Sequence, residues 1–231
     1  QKYLESENKM QKFINNSFSK DESCFINNLA KLTQVVIKTN PLNFNHGYVL
    51  FYNLKKYLLK KNYKNITIFE TGTARGFSSI IMSKALKDAG IENYKIFTID
   101  VIPHNKKIYW NCISDPIHGK VSRQELLKNY KDYTSDIKFL NGQSIDIVKK
   151  LNLNRINFAF LDGAHDYENV KYEFKYVKER QQPGDIIIFD DVTPGQFDGI
   201  VKLVNEIMHK NLYTIKLINF DNARQYAVAI K

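Results

Sequence analysis

Residues 66–79, with the sequence ITIFETGTARGFSS, decide the fold. A short β-rich strand at 66–70 enters a loop that contains Gly72 and Gly76, and an amphipathic segment follows the loop. A strand that turns through such a loop into a helix typically opens a parallel α/β sheet. The glycine spacing differs from the GxGxxG dinucleotide fingerprint. Glu70, just before the loop, would repel a pyrophosphate and attract a cationic ligand.

The rest of the chain repeats this alternation of strands and helices. Apolar residues at helical spacing predict helices near 167–177 and 197–208. Two more strands after the last helix predict an antiparallel pair. The seven predicted strands are residues 66–70, 95–100, 136–141, 157–162, 185–190, 213–220 and 225–230. The sequence therefore predicts an α/β fold with a doubly wound, mostly parallel seven-stranded sheet whose last strand is antiparallel.

Two regions stand outside this alternation. Helical periodicity at 22–38, ended by Pro41, and at 46–61 predicts an N-terminal helical cap, residues 1–62, before the main α/β domain, residues 63–231. The stretch 102–135 is far longer than the about 2 to 6 residues usual between a strand and a helix, so we expect an inserted lid over the site. Ser122 and Glu125 have capping-box spacing and predict a helix start at Ser122.

The chain is basic, with 34 basic and 24 acidic residues and a net charge of +10. Such a charge attracts nucleic acid, anionic lipid or phosphorylated substrates. However, 29 of the basic residues are Lys and 5 are Arg, beside 24 Asn. This bias is typical of an AT-rich genome, whereas base and phosphate recognition favours Arg. Nucleic acid is therefore not an expected partner.

No apolar run approaches the roughly 20 residues that cross a membrane. The first residues lack the layout of a signal peptide, which favours a cytoplasmic location. Cys24 and Cys112 are too few and too far apart for a disulfide framework. We expect both cysteines to be structural.

Polar residues recur where the predicted parallel strands end. In an open parallel sheet these carboxyl ends form the ligand-binding edge. The residues are Glu70, Asp100, the Gly142-Gln143-Ser144 loop, Asp162, Asp190 and Asp191. Asp100 is placed to accept both hydroxyls of a ribose. Together these residues suit an adenosine that carries a positive group.

In these motifs the chain resembles the class I S-adenosylmethionine-dependent methyltransferases over roughly residues 66–230. The segments LDGAHDYENV (161–170) and PGDIIIFDD (183–191) are similar to the D-G-x-H-x-Y-E-x-V and P-G-G-x-x-x-x-D-D segments of small-molecule O-methyltransferases related to the catechol and macrolide-sugar enzymes. The resemblance implies a Rossmann-like fold. It also implies methyl transfer to an oxygen of a small molecule, such as a sugar or a natural-product intermediate.

The resemblance further implies a set of cofactor-binding residues. Glu70, Gly72 and Thr73 would line the methionine part, with Ser78 or Ser79 nearby, and Ser144 would reach the adenine edge. The full set is Glu70, Gly72, Thr73, Gly76, Ser78, Ser79, Asp100, Gly142, Gln143, Ser144 and Asp162.

A magnesium ion is the second cofactor that the resemblance implies. Relatives of the catechol and sugar type hold this ion with carboxyl-type ligands at two strand ends, where it binds substrate oxygens and lowers a hydroxyl pKa. Asp162, Asp190 and Asp191 stand at the matching positions of this chain. Neighbouring strand-end acids also occur as helix caps in metal-free relatives.

His165 and Asp162 are the expected catalytic residues. His165 lies three residues after Asp162, and its ordinary pKa near 6.5 suits proton abstraction. The alternative is that His165 caps the helix that begins near residue 167 or only shapes the substrate pocket. Ala164 stands where the macrolide-sugar relatives have an acidic residue, so their base does not carry over. Asp166 and His104 are further candidates.

Two other functions remain open at this point. An RNA methyltransferase is favoured by charge alone, because an N/D-P-P-Y type motif and an RNA-binding module are absent from the sequence. A non-catalytic cofactor-binding scaffold is the other alternative. The expected partner is a small-molecule acceptor, and homo-oligomerisation is left open.

Overall fold

The computed structural model describes residues 2–35, 44–60, 63–113, 115–220 and 224–231, with side chains from residue 9 onward. Seven strands form one sheet in the order β3-β2-β1-β4-β5-β7-β6. Strand β7 pairs antiparallel with β5 and β6, and the pairs among β1 to β5 are parallel. The strands are β1 (Ile66–Thr71), β2 (Tyr94–Asp100), β3 (Ile137–Asn141), β4 (Phe158–Leu161), β5 (Ile186–Phe189), β6 (Thr214–Asn219) and β7 (Gln225–Ile230). The predicted fold class is confirmed.

Ten α-helices surround the sheet in the described part of the chain. They are α1 (Lys2–Ser17), α2 (Lys20–Thr33), α3 (Asn45–Leu58), α4 (Phe77–Asp88), α5 (Asp115–His118), α6 (Arg123–Leu126), α7 (Lys131–Thr134), α8 (Ser144–Val148), α9 (Tyr167–Lys178) and α10 (Asp198–His209). The helix predicted at 22–38 ends earlier, at Thr33, whose hydroxyl donates to the Leu29 carbonyl. Pro41, its predicted stop, lies outside the described residues. No helix of the described residues is long and apolar enough to span a membrane.

The N-terminal helices share an apolar core with the sheet. Leu29 of α2 and Leu54 of α3 are fully buried in one cluster with Ile68 of β1 and Phe158 of β4. Their burial removes large side chains from water, which is the dominant favourable term in folding. The boundary predicted between residues 62 and 63 falls beside residues that the structure does not describe. The division into two domains stays a prediction.

The segment between β2 and β3 rests on the loop that follows β1. Helix α6 begins after Ser122 with the predicted capping box, although it is only 4 residues long. The buried Arg123 side chain donates from Nε to the Ala74 carbonyl at 2.7 Å. Its guanidinium also packs on the rings of Trp110 and Phe139. The inserted segment is thereby fixed beside the carboxyl edge of the sheet.

Candidate functional site

Two loops meet closely at the carboxyl edge of the sheet. Gly72, after β1, has a φ of +87° and donates its N–H to the Ile99 carbonyl at 2.9 Å. A Cβ atom added at Gly72 would lie 2.0 Å from the carbonyl oxygen of Asp162, after β4. Both the backbone conformation and the lack of space therefore require glycine here. Gly76, with a φ of +86°, is the N-cap residue directly before α4.

Five predicted cofactor residues, Gly76 among them, are not among the residues that border the cavity at this edge of the sheet. Glu70 is completely buried, and its two carboxyl oxygens accept hydrogen bonds from the hydroxyls of Ser78 and Ser79. Burial raises the pKa of Glu70. The Thr73 hydroxyl lies 2.5 Å from that of Thr98. These contacts fix the start of α4 against β1. The buried residues thereby stabilise the loop between β1 and α4.

A cavity of about 470 Å³ opens in front of the loop, between the ends of β1, β2, β3 and β4. Its size is within the range of small-molecule sites, and its place is the usual one for a parallel sheet. Six of the predicted cofactor residues border it, namely Gly72, Asp100, Gly142, Gln143, Ser144 and Asp162. The strand-end motifs therefore converge on one cavity.

Asp100 is held firmly at the β2 side of this cavity. Its Oδ2 accepts the Ala74 N–H at 2.5 Å, and its Oδ1 accepts the Ile102 N–H at 2.7 Å. Nη2 of the buried Arg123 lies 3.7 Å from Oδ2. One carboxylate thus faces one guanidinium, and two backbone donors fix its orientation.

The ends of β4 and β5 bring three carboxylates together around an arginine. Asp162, Asp190 and Asp191 converge as predicted, and Arg224 lies among them. Nε and Nη2 of Arg224 donate to Oδ1 and Oδ2 of Asp190 at 2.8 and 2.5 Å. Nε also lies 2.9 Å from Oδ1 of Asp191, and Nη2 lies 3.9 Å from Oδ1 of Asp162. We call these four residues, with His165, the acid cluster.

The topology of the sheet explains how Arg224 reaches this position. Strand β7 is antiparallel to β5, so it begins at the edge where β5 ends. The Val192 N–H donates to the Gln225 carbonyl at 2.9 Å, which holds the start of β7 beside the end of β5. A residue directly before β7 therefore faces the strand-end acids. Our sequence analysis did not identify Arg224.

His165 completes the acid cluster. Its Nε2 lies 3.0 Å from Oδ2 of Asp191, and 41% of its side chain is exposed. The contact with Asp191 raises the pKa of His165 above 6.5. The alternative that His165 caps α9 is wrong, because the Asp166 carboxylate is the cap and accepts the Asn169 N–H at 3.0 Å. Asp166 is thus engaged in a local structural role.

His104, the other base candidate, stands apart from this cluster. It lies in the segment between β2 and β3, and its ring stacks on Phe139 with the centroids 3.9 Å apart. Burial lowers its pKa below 6.5. Among the candidate bases, His165 alone has a described contact with a strand-end acid.

The acid cluster does not fit the predicted magnesium site. One ligand atom each of Asp162, His165 and Asp191 lies within 4.8 Å of the others. Both oxygens of Asp190, however, are already bonded to Arg224. Mg²⁺ takes oxygen ligands at about 2.0–2.1 Å in near-octahedral geometry, and here a guanidinium lies among the three carboxylates. The role of magnesium stays a prediction that this geometry does not support.

Glu173 is a second residue that the sequence analysis missed. It lies on α9, is fully buried, and accepts the Thr71 hydroxyl at Oε2 at 2.9 Å. Burial raises its pKa to about 7. Within the described chain, Oε1 has no hydrogen-bond partner, and it lies 3.4 Å from where a Cβ of Gly163 would be. Gly163 borders the cavity, so this carboxyl group lies directly behind the cavity wall.

Comparisons with known proteins agree with this architecture. A family model described as a methyltransferase domain matches residues 69–192, more than half of the chain. The structure of the O-methyltransferase NovP is similar, with a TM-score of 0.64 and 15% sequence identity over 91% of this chain and 100% of that chain. No curated protein sequence gives a significant match.

Two further solved structures show the same fold. An O-methyltransferase from Bacillus cereus in complex with SAH has a TM-score of 0.60 and 14% identity, over 93% of this chain and 92% of that chain. CalS11, a TDP-rhamnose 3'-O-methyltransferase of calicheamicin biosynthesis, has a TM-score of 0.58 and 18% identity, over 90% and 94% of the two chains. Identities this low establish the fold alone. The family match reaches further, and by it the chain belongs to the methyltransferase domain family.

Proposed function

We propose that this protein is an S-adenosylmethionine-dependent methyltransferase that moves a methyl group to an oxygen of a small molecule. Its membership of the methyltransferase domain family supports the type of reaction. The fold it shares with O-methyltransferases, one of them solved with SAH, supports the cofactor and oxygen as the acceptor atom. CalS11 methylates a sugar nucleotide, which supports a sugar or another polyhydroxylated intermediate as the acceptor class.

The position of Asp162 carries the proposal. This residue borders the cavity, and its carboxylate also faces Arg224 in the acid cluster. A ligand that fills the cavity as far as Asp162 therefore touches a residue whose carboxylate lies within 4.8 Å of a ligand atom of His165 and of Asp191. The cavity and the acid cluster thus suit two reactants that must meet at one point.

The residues of the cavity fit the proposed cofactor. In the proposed binding mode Asp100 would accept the ribose hydroxyls, Ser144 would lie on the adenine side, and Asp162 would lie next to the methionine part. The negative charge of the acid cluster favours a sulfonium ion at that end. When bound, S-adenosylmethionine supplies an electrophilic methyl group on a positively charged sulfur.

His165 is the proposed general base. As the oxygen–carbon bond forms and the carbon–sulfur bond breaks, the electron pair of the broken bond leaves on sulfur and the acceptor hydroxyl loses its proton. A neutral imidazole that donates its Nε2–H to Asp191 accepts this proton at Nδ1. Asp191 then stabilises the imidazolium. Asp162 remains a predicted catalytic residue because it borders the cavity and its carboxylate lies close to His165.

Titration calorimetry with S-adenosylhomocysteine tests the cofactor site. We expect micromolar binding to the wild type. Ala164 borders the cavity, so Ala164→Trp fills it and should abolish binding. Ala89→Trp, at the end of α4 and outside this cavity, is the matched control and should bind normally. Absence of binding to folded wild type, or normal binding to Ala164→Trp, would contradict the proposal.

A turnover screen then tests the reaction itself. S-adenosylmethionine is offered with a panel of sugars, sugar nucleotides and phenols, and products are identified by mass and by the methylated atom. An O-methylated product supports the proposal, whereas methylation at nitrogen or carbon throughout the panel would contradict it. The cytoplasmic location and homo-oligomerisation stay predictions.

A further inference from the structure

Arg224 stands where the acid cluster needs a positive charge. Its guanidinium makes a bidentate pair with Asp190 and a further contact with Asp191, and it faces Asp162 at 3.9 Å. Asp190 has no exposed surface, so its charge must be balanced inside the protein. A planar guanidinium with its donors in a fixed fork matches a carboxylate better than an ammonium group does.

A divalent cation would compete with this guanidinium for the same oxygen atoms. Both oxygens of Asp190 and one oxygen of Asp191 are in contact with Arg224. A metal ion could bind them only if Arg224 left its bidentate pair. The two cations would then repel each other across a poorly solvated space. Because arginine does not lose its proton in proteins, a moderate rise in pH cannot clear the site.

We propose that Arg224 is the resident cation of the acid cluster, that it replaces a divalent metal there, and that its removal turns the cluster into a metal-binding site. Asp162, His165 and Asp191 already offer three ligand atoms close together. Loss of the guanidinium would free Oδ2 of Asp190 as well, while Oδ1 would keep the hydrogen bond from the Asp191 N–H. The inference concerns the charge balance of the cluster, and it holds whether or not the protein transfers methyl groups.

Arg224 also has a positioning role, and this part rests on the proposed function. Its Nε holds Oδ1 of Asp191, while Oδ2 of the same carboxylate contacts His165. The guanidinium therefore fixes the carboxylate that orients the proposed base. Since the cation of the site is part of the chain, turnover in a chelator should equal turnover in added Mg²⁺.

Manganese binding tests the inference without any turnover. Mn²⁺ is titrated into the full chain, and the loss of the free-ion electron paramagnetic resonance signal measures binding. Wild type should bind no Mn²⁺ at the cluster. Arg224→Ala should bind one Mn²⁺, with a dissociation constant of about 10⁻⁵ to 10⁻⁴ M, at least about tenfold tighter than wild type. The same ion should raise the melting temperature of Arg224→Ala and leave that of wild type unchanged.

Two control variants separate the charge from a general effect of substitution. Arg224→Lys loses the bidentate fork but keeps a cation, so it should bind no Mn²⁺ at the cluster. Arg155→Ala removes a guanidinium from another buried aspartate, Asp185, and should not create a Mn²⁺ site. Folding of Arg224→Ala only in the presence of Mn²⁺ would support the inference.

Three results would overturn it. One is stoichiometric Mn²⁺ binding by wild type that is lost in Asp162→Asn. Another is a folded Arg224→Ala that binds no Mn²⁺. The third is a variant that fails to fold with and without Mn²⁺ while wild type itself binds the ion. If Arg224→Ala cannot fold and wild type binds no ion, the double variant Arg224→Ala, Asp190→Asn takes its place, because it has the same net charge as wild type. The double variant must then bind Mn²⁺, and Asp190→Asn alone must not.

Discussion

The two ends of the cavity balance their buried charges differently. At the β2 end, the single carboxylate of Asp100 faces the single guanidinium of Arg123, and two backbone N–H groups hold it. At the β4 and β5 end, three carboxylates share the guanidinium of Arg224 and the imidazole of His165. One end has one carboxylate for one guanidinium, while the other has three carboxyl groups for one guanidinium and one imidazole, and burial together with the neighbouring Asp190 raises the pKa of Asp162.

This difference suggests a division of labour along the cavity. A fixed carboxylate with its charge already matched suits neutral hydroxyl groups, which it recognises by accepting hydrogen bonds. An excess of carboxyl groups attracts a cationic group and stabilises the imidazolium that forms when a histidine accepts a proton. The β2 end therefore fits a ribose. The opposite end fits a sulfonium ion and the transfer of a proton.

The largest effect is expected at the end with three carboxyl groups. His165→Ala should lower turnover at least about a hundredfold, because the acceptor hydroxyl loses the group that takes its proton. The affinity for S-adenosylhomocysteine should hardly change, since the cavity lies beyond Asp162. Single-turnover kinetics and calorimetry measure the two quantities separately.

His209→Ala is the matched control for this prediction. His209 ends α10 and is exposed, away from the acid cluster. It should keep full turnover. Unchanged turnover in His165→Ala would remove His165 from the mechanism. It would also contradict the assignment of proton transfer to the β4 and β5 end of the cavity.

Glu173 sharpens the comparison because it lies behind the cavity wall with no described ion-pair partner. Burial raises its pKa from 4.5 to about 7, so between these values the folded protein keeps a proton that the unfolded chain loses. Its contribution to stability is therefore complete below about pH 4.5 and is lost as the pH rises through about 7. Glu173→Gln carries no such group. The stability of this variant relative to wild type should rise by about 2–3 kcal/mol from about pH 5 to about pH 8.

Urea unfolding at the two pH values checks this expectation. The carboxylates of the acid cluster titrate in wild type and variant alike, so their contribution cancels in the difference. Glu168→Gln, an exposed substitution on the same helix, should show no such change with pH. A constant difference between wild type and Glu173→Gln would mean that Glu173 is charged in the folded protein at both pH values.

The central strands β1, β4 and β5 could be predicted because their residues are buried on both faces. Parallel strands covered by helices read as continuous apolar runs, as in Ile186–Phe189, and each predicted strand agrees with the structure to within one residue at either end. The location of the cavity could be predicted from the same pattern, since the carboxyl ends of parallel strands lie at one edge of the sheet. Helix α2 was predicted too long, because apolar spacing does not show where a cap closes a helix.

Arg224 and Glu173 could not be predicted in the same way. Arg224 precedes an antiparallel strand, and its place beside Asp190 depends on strand order, which hydrophobic spacing does not report. Glu173 lies on a helix whose apolar spacing predicted its position but not its buried contact with Thr71. One sequence signal was present for Arg224. In a chain with 29 Lys and 5 Arg, an arginine is expected where a site requires the planar, forked guanidinium group. Each of the five arginines makes a described guanidinium hydrogen bond.

The smallest effect is expected from a pair of matched substitutions that probe binding at the two ends. Asp100→Asn should weaken S-adenosylhomocysteine about tenfold, because a charged acceptor of the ribose hydroxyls becomes a neutral amide. Asp191→Asn should change that affinity by less than about threefold, since Asp191 faces His165 and Arg224 rather than the cavity. Calorimetry on both folded variants measures the ratio. Equal losses of affinity would show that binding depends on the total charge of this edge of the sheet and not on one carboxylate. A larger loss of affinity in Asp191→Asn would reverse the assignment of the two ends.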